Sequence, residues 1–247
     1  MATLLVVEHE EGCPPGLLGD AARDAGVTLW RVAAGAGERL PVDGELAGVD
    51  GVVVLGGSMD VGDLPRYPHL GEVMGLIRRA AERELPTLGI CLGSQLAAQA
   101  LGGRAHRGEA GLEVGWTALA LTPAGRADPV LGALDGALHH DDGESDRNNG
   151  ARVFHWHHDT YEPPPGATLL ARGTQYPNQA FRLGSVVAVQ FHPEVDAHLI
   201  RRWYAESSEL PPVPLEVSVA GAARYAATAR RVLDAFCATV RPAETAP

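Results

Sequence analysis

The sequence predicts an α/β fold: a three-layer, mostly parallel open sheet flanked by helices, with antiparallel strands added at one edge. Three observations predict it. Apolar runs of strand length alternate with helix-period segments through the first hundred residues, the pattern of repeated βαβ units. Runs such as Val52, Val53, Val54 and Leu55 are apolar at every position, as strands covered on both faces are. After Gly103 the segments become extended and are separated by short turns, which points to antiparallel pairing.

The elements follow in order. Residues 3–7 read as a strand, 17–25 as a helix, 28–32 as a second strand and 51–55 as a third. In residues 70–84, Leu70, Val73, Met74, Ile77 and Ala81 recur at three- and four-residue steps, so one helix face is buried, and Pro86 stops the helix. Residues 87–90 form a short strand and 93–101 a helix of small residues ended by Gly102 and Gly103. Extended segments follow at 113–121, 151–156, 167–171, 178–183 and 185–191, with residues 182–185 as a hairpin turn. Two helices, 197–207 and 219–240, flank a connector bearing Pro211, Pro212 and Pro214. The tract 139–150 is wholly polar and reads as a mobile surface loop, and 242–247 as a frayed tail. Residues 1–207 are thus expected to form the main domain, with 208–241 a helical extension packed on it. Trp203, Tyr204 and Tyr225 in these last helices are expected to pack on the domain's own sheet.

Composition narrows the function. A chain of 247 residues, 45% hydrophobic and 21% charged, is large enough for one substantial core. All 20 basic residues are arginine, so a lysine Schiff base, a lysine general base and a lysine-bearing phosphate loop are excluded. A net charge of −11 disfavours binding to nucleic acid or to an anionic membrane, where like charges would meet. Cys13, Cys91 and Cys237 are odd in number and widely spaced, which fits a reducing compartment. The first residues lack the basic segment of a signal peptide and no apolar stretch reaches 18 residues, so a cytoplasmic location is expected.

The chemistry concentrates at three places. Cys91 stands between Gly89 and Gly93 at a strand-to-helix junction, the thiol version of a nucleophile elbow. There the helix N-terminus favours the thiolate, and the N–H of Leu92 faces a developing oxyanion. His192 and Glu194, two apart in an extended segment, project to one side, so Glu194 can fix the imidazole tautomer while the other nitrogen meets the thiol. Gly56 and Gly57 follow the third strand at its carboxyl end, where parallel sheets bind ligands, and the Gly57 N–H is a second oxyanion donor.

The segments Gly89 to Gln95 and Gln190 to Glu194, together with the glycine turn at Gly57, resemble the class I glutamine amidotransferase family, the type with a Cys-His-Glu triad. The segment Gly111 to Trp116 is similar to the stretch after the elbow helix in that family. Arg66, Tyr67 and the run His155 to Asp159 resemble stand-alone members related to the glutaminase domain of GMP synthase. The resemblance implies a flavodoxin-like sheet, Cys91 as nucleophile, His192 as base and Glu194 as its orienter. It implies an oxyanion hole from the N–H groups of Gly57 and Leu92, with Gln95 and Asp159 contacting substrate. The implied reaction is thiolate attack on a γ-amide, a γ-glutamyl thioester, and release of glutamate with ammonia or an amine. It needs no metal and no organic cofactor.

His139, His140, Asp141 and Asp142, with His155, His157, His158 and Asp159, offer zinc-ligand residue types. The first group is expected to be solvated and the second to belong to the substrate segment, so no metal is expected. Three functions remain open. One is a glutaminase feeding a separate synthetase subunit; another is a stand-alone hydrolase of γ-glutamyl amides other than glutamine; the last is a non-catalytic regulatory module.

Overall fold

The computed structural model describes residues 1–42, 44–135, 151–209 and 211–242. In chain order the elements are β1 (Thr3–Glu8), α1 (Leu17–Asp24), β2 (Thr28–Ala33), β3 (Gly51–Val54), α2 (His69–Glu82), β4 (Thr87–Ile90) and α3 (Leu92–Ala100). Then come β5 (Arg104–Arg107), β6 (Glu113–Leu121), α4 (Pro123–Ala127), β7 (Ala151–His157), β8 (Asp159–Glu162), β9 (Thr168–Arg172), β10 (Ala180–Leu183) and β11 (Val186–Val189). The chain finishes with α5 (Ala197–Glu206) and α6 (Leu215–Cys237).

β1 shows why three layers form. Leu4 and Val6 point to one face and Leu5 and Val7 to the other, and all four are fully buried. Leu4 and Val6 join the cluster of Leu18, Ala21 and Ala22 from α1 and Val232, Leu233 and Phe236 from α6. Leu5 and Val7 join Leu70, Val73 and Ile77 of α2 and Leu96 and Ala97 of α3. β3 divides in the same way, with Val53 on the first side and Val52 and Val54 on the second.

The large sheet runs β2-β1-β3-β4-β11-β10-β9-β6-β7. The pairs from β2 to β11 are parallel, and those from β11 to β7 are antiparallel. The fold is therefore a mostly parallel sheet between helices, with antiparallel strands at one edge. That extension curls back on itself, because the N–H of His192, just past β11, donates to the Phe154 carbonyl of β7 (2.8 Å). A third cluster fills the space this leaves, built from Phe154 with Leu199 and Ile200 of α5 and Ala222 of α6, and packed by Trp116, Trp156, Trp203 and Tyr204.

Three features depart from the expected elements. β5 and β8 pair into a separate two-stranded antiparallel sheet, and α4 is a single turn started by Thr122, whose hydroxyl accepts from the Gly125 N–H (3.0 Å). α6 begins at Leu215, directly after Pro214, four residues before the expected start, because a proline preceding a helix needs no N–H of its own. The tract 139–150 and most of the tail lie outside the described residues.

Phe236→Ala removes a ring that is 1% exposed between α6 and the sheet. The expected cost is about 3–5 kcal/mol, read as a lower urea midpoint with an unchanged slope. An unchanged midpoint would show that α6 lies outside the cooperative core.

Candidate active site

β1, β3, β4 and β11 end along one edge of the sheet, and the turns that follow them open into a single cavity of about 540 Å³. Glu10 and Cys13 follow β1, Gly57 to Asp60 follow β3, Cys91 follows β4 and His192 follows β11. Trp156, Asp159, Arg107 and Trp203 close its sides.

Cys91 has φ 50° and ψ −109°. Such a conformation costs a non-glycine residue about 1–3 kcal/mol, so the surroundings must hold it. The Cys91 N–H donates to the Val189 carbonyl (2.9 Å), and its own carbonyl accepts from the N–H groups of Ser94 (2.9 Å) and Gln95 (3.2 Å) and from the Ser94 hydroxyl (2.7 Å). The flanking glycines serve close approach. A Cβ on Gly93 would stand 2.1 Å from the Val54 carbonyl, and one on Gly89 would stand 2.5 Å from the Gly93 carbonyl. The N-terminal turn of α3 therefore sits directly on the ends of β3 and β4.

His192 and Glu194 lie beside this turn, 3% and 2% exposed. His192 Nδ1 is 2.7 Å from Glu194 Oε1, and the imidazole interacts electrostatically with the Cys91 sulfur. Backbone fixes the segment, since Leu17 N–H at the start of α1 donates to the Glu194 carbonyl (2.8 Å). The Trp203 indole packs on the imidazole edge, with centroids 4.7 Å apart, and its own N–H donates to the Gly12 carbonyl (2.8 Å). Burial disfavours the imidazolium, but the Glu194 carboxylate and the Cys91 sulfur outweigh it and push His192 up to about 10.

The remaining expected site residues are placed as follows. Gly57 lines the cavity, and a Cβ there would meet His9 at 3.0 Å and Leu92 at 3.1 Å. Leu92 opens α3 with its side chain buried in the core, so only its backbone faces the turn. Gln95 lines the cavity while its amide donates to the Asp159 carbonyl (3.1 Å). Asp159 is buried at the start of β8, where burial and neighbouring Asp60 push its carboxyl up against the opposing pull of Arg107. His139, His140, Asp141 and Asp142 lie outside the described residues.

Sequence reasoning missed Arg107, the one arginine among the described residues of the cavity wall. It also missed the polar layer beneath the cavity. Glu113 Oε2 accepts from the Gln179 amide (2.9 Å) and lies 3.0 Å from His157 Nε2 and 3.6 Å from His155 Nδ1. His157 Nδ1–H donates to the Asp159 carbonyl (2.8 Å). Burial alone would raise the Glu113 carboxyl, but His157 and His155 hold it below the usual range. Burial pushes His155 down to about 3. Among the described residues these three are the set whose ligand atoms have metal-site spacing, within 4.8 Å of one another. The one signal in the sequence was alternation: Glu113, His155 and His157 occupy inward positions of paired strands.

Comparison with known proteins places the chain in a family. A sequence profile of the family Glutamine amidotransferase class-I matches residues 20–204. The glutamine amidotransferase-like protein YfeJ of Salmonella typhimurium is 30% identical over 193 residues, covering 76% of this chain and 74% of that protein. One subunit of the glutamine-hydrolyzing GMP synthase of Thermococcus kodakarensis is 32% identical over 148 residues, 59% of this chain and 66% of that protein. The crystal structure of a glutamine amidotransferase from Thermotoga maritima matches with a TM-score of 0.80 at 29% identity, over 97% of this chain and 98% of that one. The chain belongs to the class I glutamine amidotransferase family and is an enzyme of that class. No helix among the described residues is long and apolar enough to cross a membrane.

The raised His192 carries a pH dependence. A group whose pKa rises on folding adds stability below its unfolded value of 6.5, and that contribution is lost as pH climbs through about 10. Glu194→Gln removes the first of the raising influences, so the stability gap between wild type and variant should narrow from pH 6.5 to 10. Urea midpoints across that range measure it, and a gap independent of pH contradicts a protonated His192.

Proposed function

We propose that this enzyme hydrolyses the side-chain amide of glutamine, or of a glutamine-like γ-glutamyl amide, through a γ-glutamyl thioester on Cys91. The observation that carries this reading is one buried unit: a thiol on a left-handed strand-to-helix turn, an imidazole against it, and a carboxylate 2.7 Å from the far imidazole nitrogen.

With His192 protonated, the Cys91 thiolate attacks the amide carbon, and the carbonyl electrons move onto oxygen. The N–H groups of Gly57 and Leu92 receive that oxyanion, each such donor being worth about 2.7–4 kcal/mol in the transition state. The intermediate collapses as His192 gives its proton to the departing nitrogen, so ammonia or an amine leaves. His192, now neutral and held in one tautomer by Glu194, takes a proton from water, whose oxygen attacks the thioester. Glutamate departs and the thiolate–imidazolium pair is restored. Gln95 and Asp159 position the glutamyl part.

Two fates of the nitrogen fit. In the first, ammonia passes to a separate synthetase subunit, and the relation to one component of a GMP synthase supports this. In the second, the leaving group is a larger amine. The cavity supports the second by its volume of about 540 Å³ and by the presence of Cys13, Glu10, Trp203 and Glu206 in its lining beside His192, room that ammonia does not need.

The test is glutamate release by the purified chain from glutamine and from γ-glutamyl alkylamides. Cys91→Ala should lower turnover on the order of 10⁴-fold or more, and Glu194→Gln by about 10²–10⁴-fold. Turnover that survives Cys91→Ala would end the thioester reading, whereas a preference for the alkylamides would select the second fate.

A further inference from the structure

We propose that Arg107 binds the α-carboxylate of the substrate, so that Arg107 and Asp159 together read the zwitterionic head of a free γ-glutamyl amide. The proposal rests on the γ-amide hydrolase reading above. The family resemblance implies that Asp159 contacts substrate, but a free amino acid presents an ammonium and a carboxylate on the same carbon. A site that supplies only an anion leaves half of that pair unmatched, and the carboxylate would lose its hydration without a partner.

The small sheet provides the complement. In its register Arg107 of β5 stands directly opposite Asp159 of β8, and both line the cavity. Cross-strand neighbours have Cβ atoms about 4.5–5.5 Å apart, so both side chains can reach toward one ligand carbon that carries two opposite charges. The Asp159 side chain is 9% exposed, and its Oδ1 has no hydrogen-bond partner. Arg107 Nη1 is 3.5 Å from that oxygen and 4.0 Å from Asp60 Oδ1. Both contacts are looser than the roughly 2.7–2.9 Å usual for a charge-assisted bond. By contrast, the arginines that serve buried structural carboxylates here grip them with two bonds. Arg31 holds Glu8 at 2.5 and 2.9 Å, and Arg182 holds Asp128 at 2.5 and 3.1 Å. Arg107 is 59% exposed, so its planar fork is free to turn toward a carboxylate. β8 is held in place from below, since the Asp159 carbonyl accepts from both Gln95 and His157.

It follows that the enzyme acts on free γ-glutamyl amides and rejects glutaminyl side chains within polypeptides, whose α-groups are neutral amides. The test compares L-glutamine with its α-carboxamide, measuring kcat and KM for wild type and Arg107→Gln, and binding by calorimetry to Cys91→Ala and to Cys91→Ala combined with Arg107→Gln. Wild type should prefer glutamine. Arg107→Gln should raise KM for glutamine by about 10–100-fold with kcat changed less than about threefold, and should leave the α-carboxamide nearly unaffected. Arg107→Lys should restore part of the loss. Equal losses on both ligands would make Arg107 a support for Asp159 only, and no loss on either would also overturn the assignment. If Cys91→Ala binds glutamine through Arg107 while the wild type turns nothing over, the hydrolase reading fails and the head-group reading stands. If glutamine does not bind at all, the Arg107 assignment fails.

Discussion

The turn at Cys91 constrains the rest of the molecule, because its left-handed backbone is tolerable only if β3, β4, β11 and α3 all meet it at fixed distances. Gly93 against the Val54 carbonyl and Gly89 against the Gly93 carbonyl leave no room for a methyl group. The Cys91 N–H is tied to β11, and its carbonyl is tied to the first turn of α3. Strain of this kind persists only where the surroundings over-determine it. Here they include a sheet buried on both faces, with Val54 and Ile90 leading into the site at 0% exposure. The helix that begins at Leu92 is therefore as much a product of the glycines as of its own propensity.

The antiparallel extension performs a second task. A parallel sheet alone offers loops along one edge and an open crevice. By curling until Phe154 meets the His192 backbone, β7 turns that crevice into a walled cavity and brings Trp156 over the thiol, its carbonyl 3.8 Å from the sulfur. The wall has a polar backing. Glu113, His157 and Gln179 form a buried layer whose bonds end on the Asp159 carbonyl, so a side chain on β6 sets the position of the cavity's buried carboxylate.

Much of the fold was legible because its strands are buried on both faces and its long helices show a clear apolar stripe: Leu70, Val73 and Ile77 mark α2 without ambiguity. β5 and β8 were not legible for the opposite reason. Arg104 to Arg107 and Asp159 to Glu162 are four-residue segments rich in charge, and their pairing depends on contacts that close only in three dimensions. Cys91, His192 and Glu194 stood out because glycine spacing and period-two projection are local properties. Arg107 carries no local mark, since its role depends on which residue faces it across the strand pair. The start of α6 was misplaced because Pro214 reads as the end of a connector, whereas in the fold it launches the helix.

Two of the chain's four tryptophans, Trp156 and Trp203, line the cavity, and Trp203 rests on the His192 imidazole. Protonated imidazole quenches indole emission, and covering an indole shifts its spectrum to shorter wavelength. Intrinsic fluorescence is thus an optical gauge of the site, sensitive to the charge on His192 and to what fills the space beside it. Trp30, 38% exposed on β2, supplies a background signal remote from the chemistry.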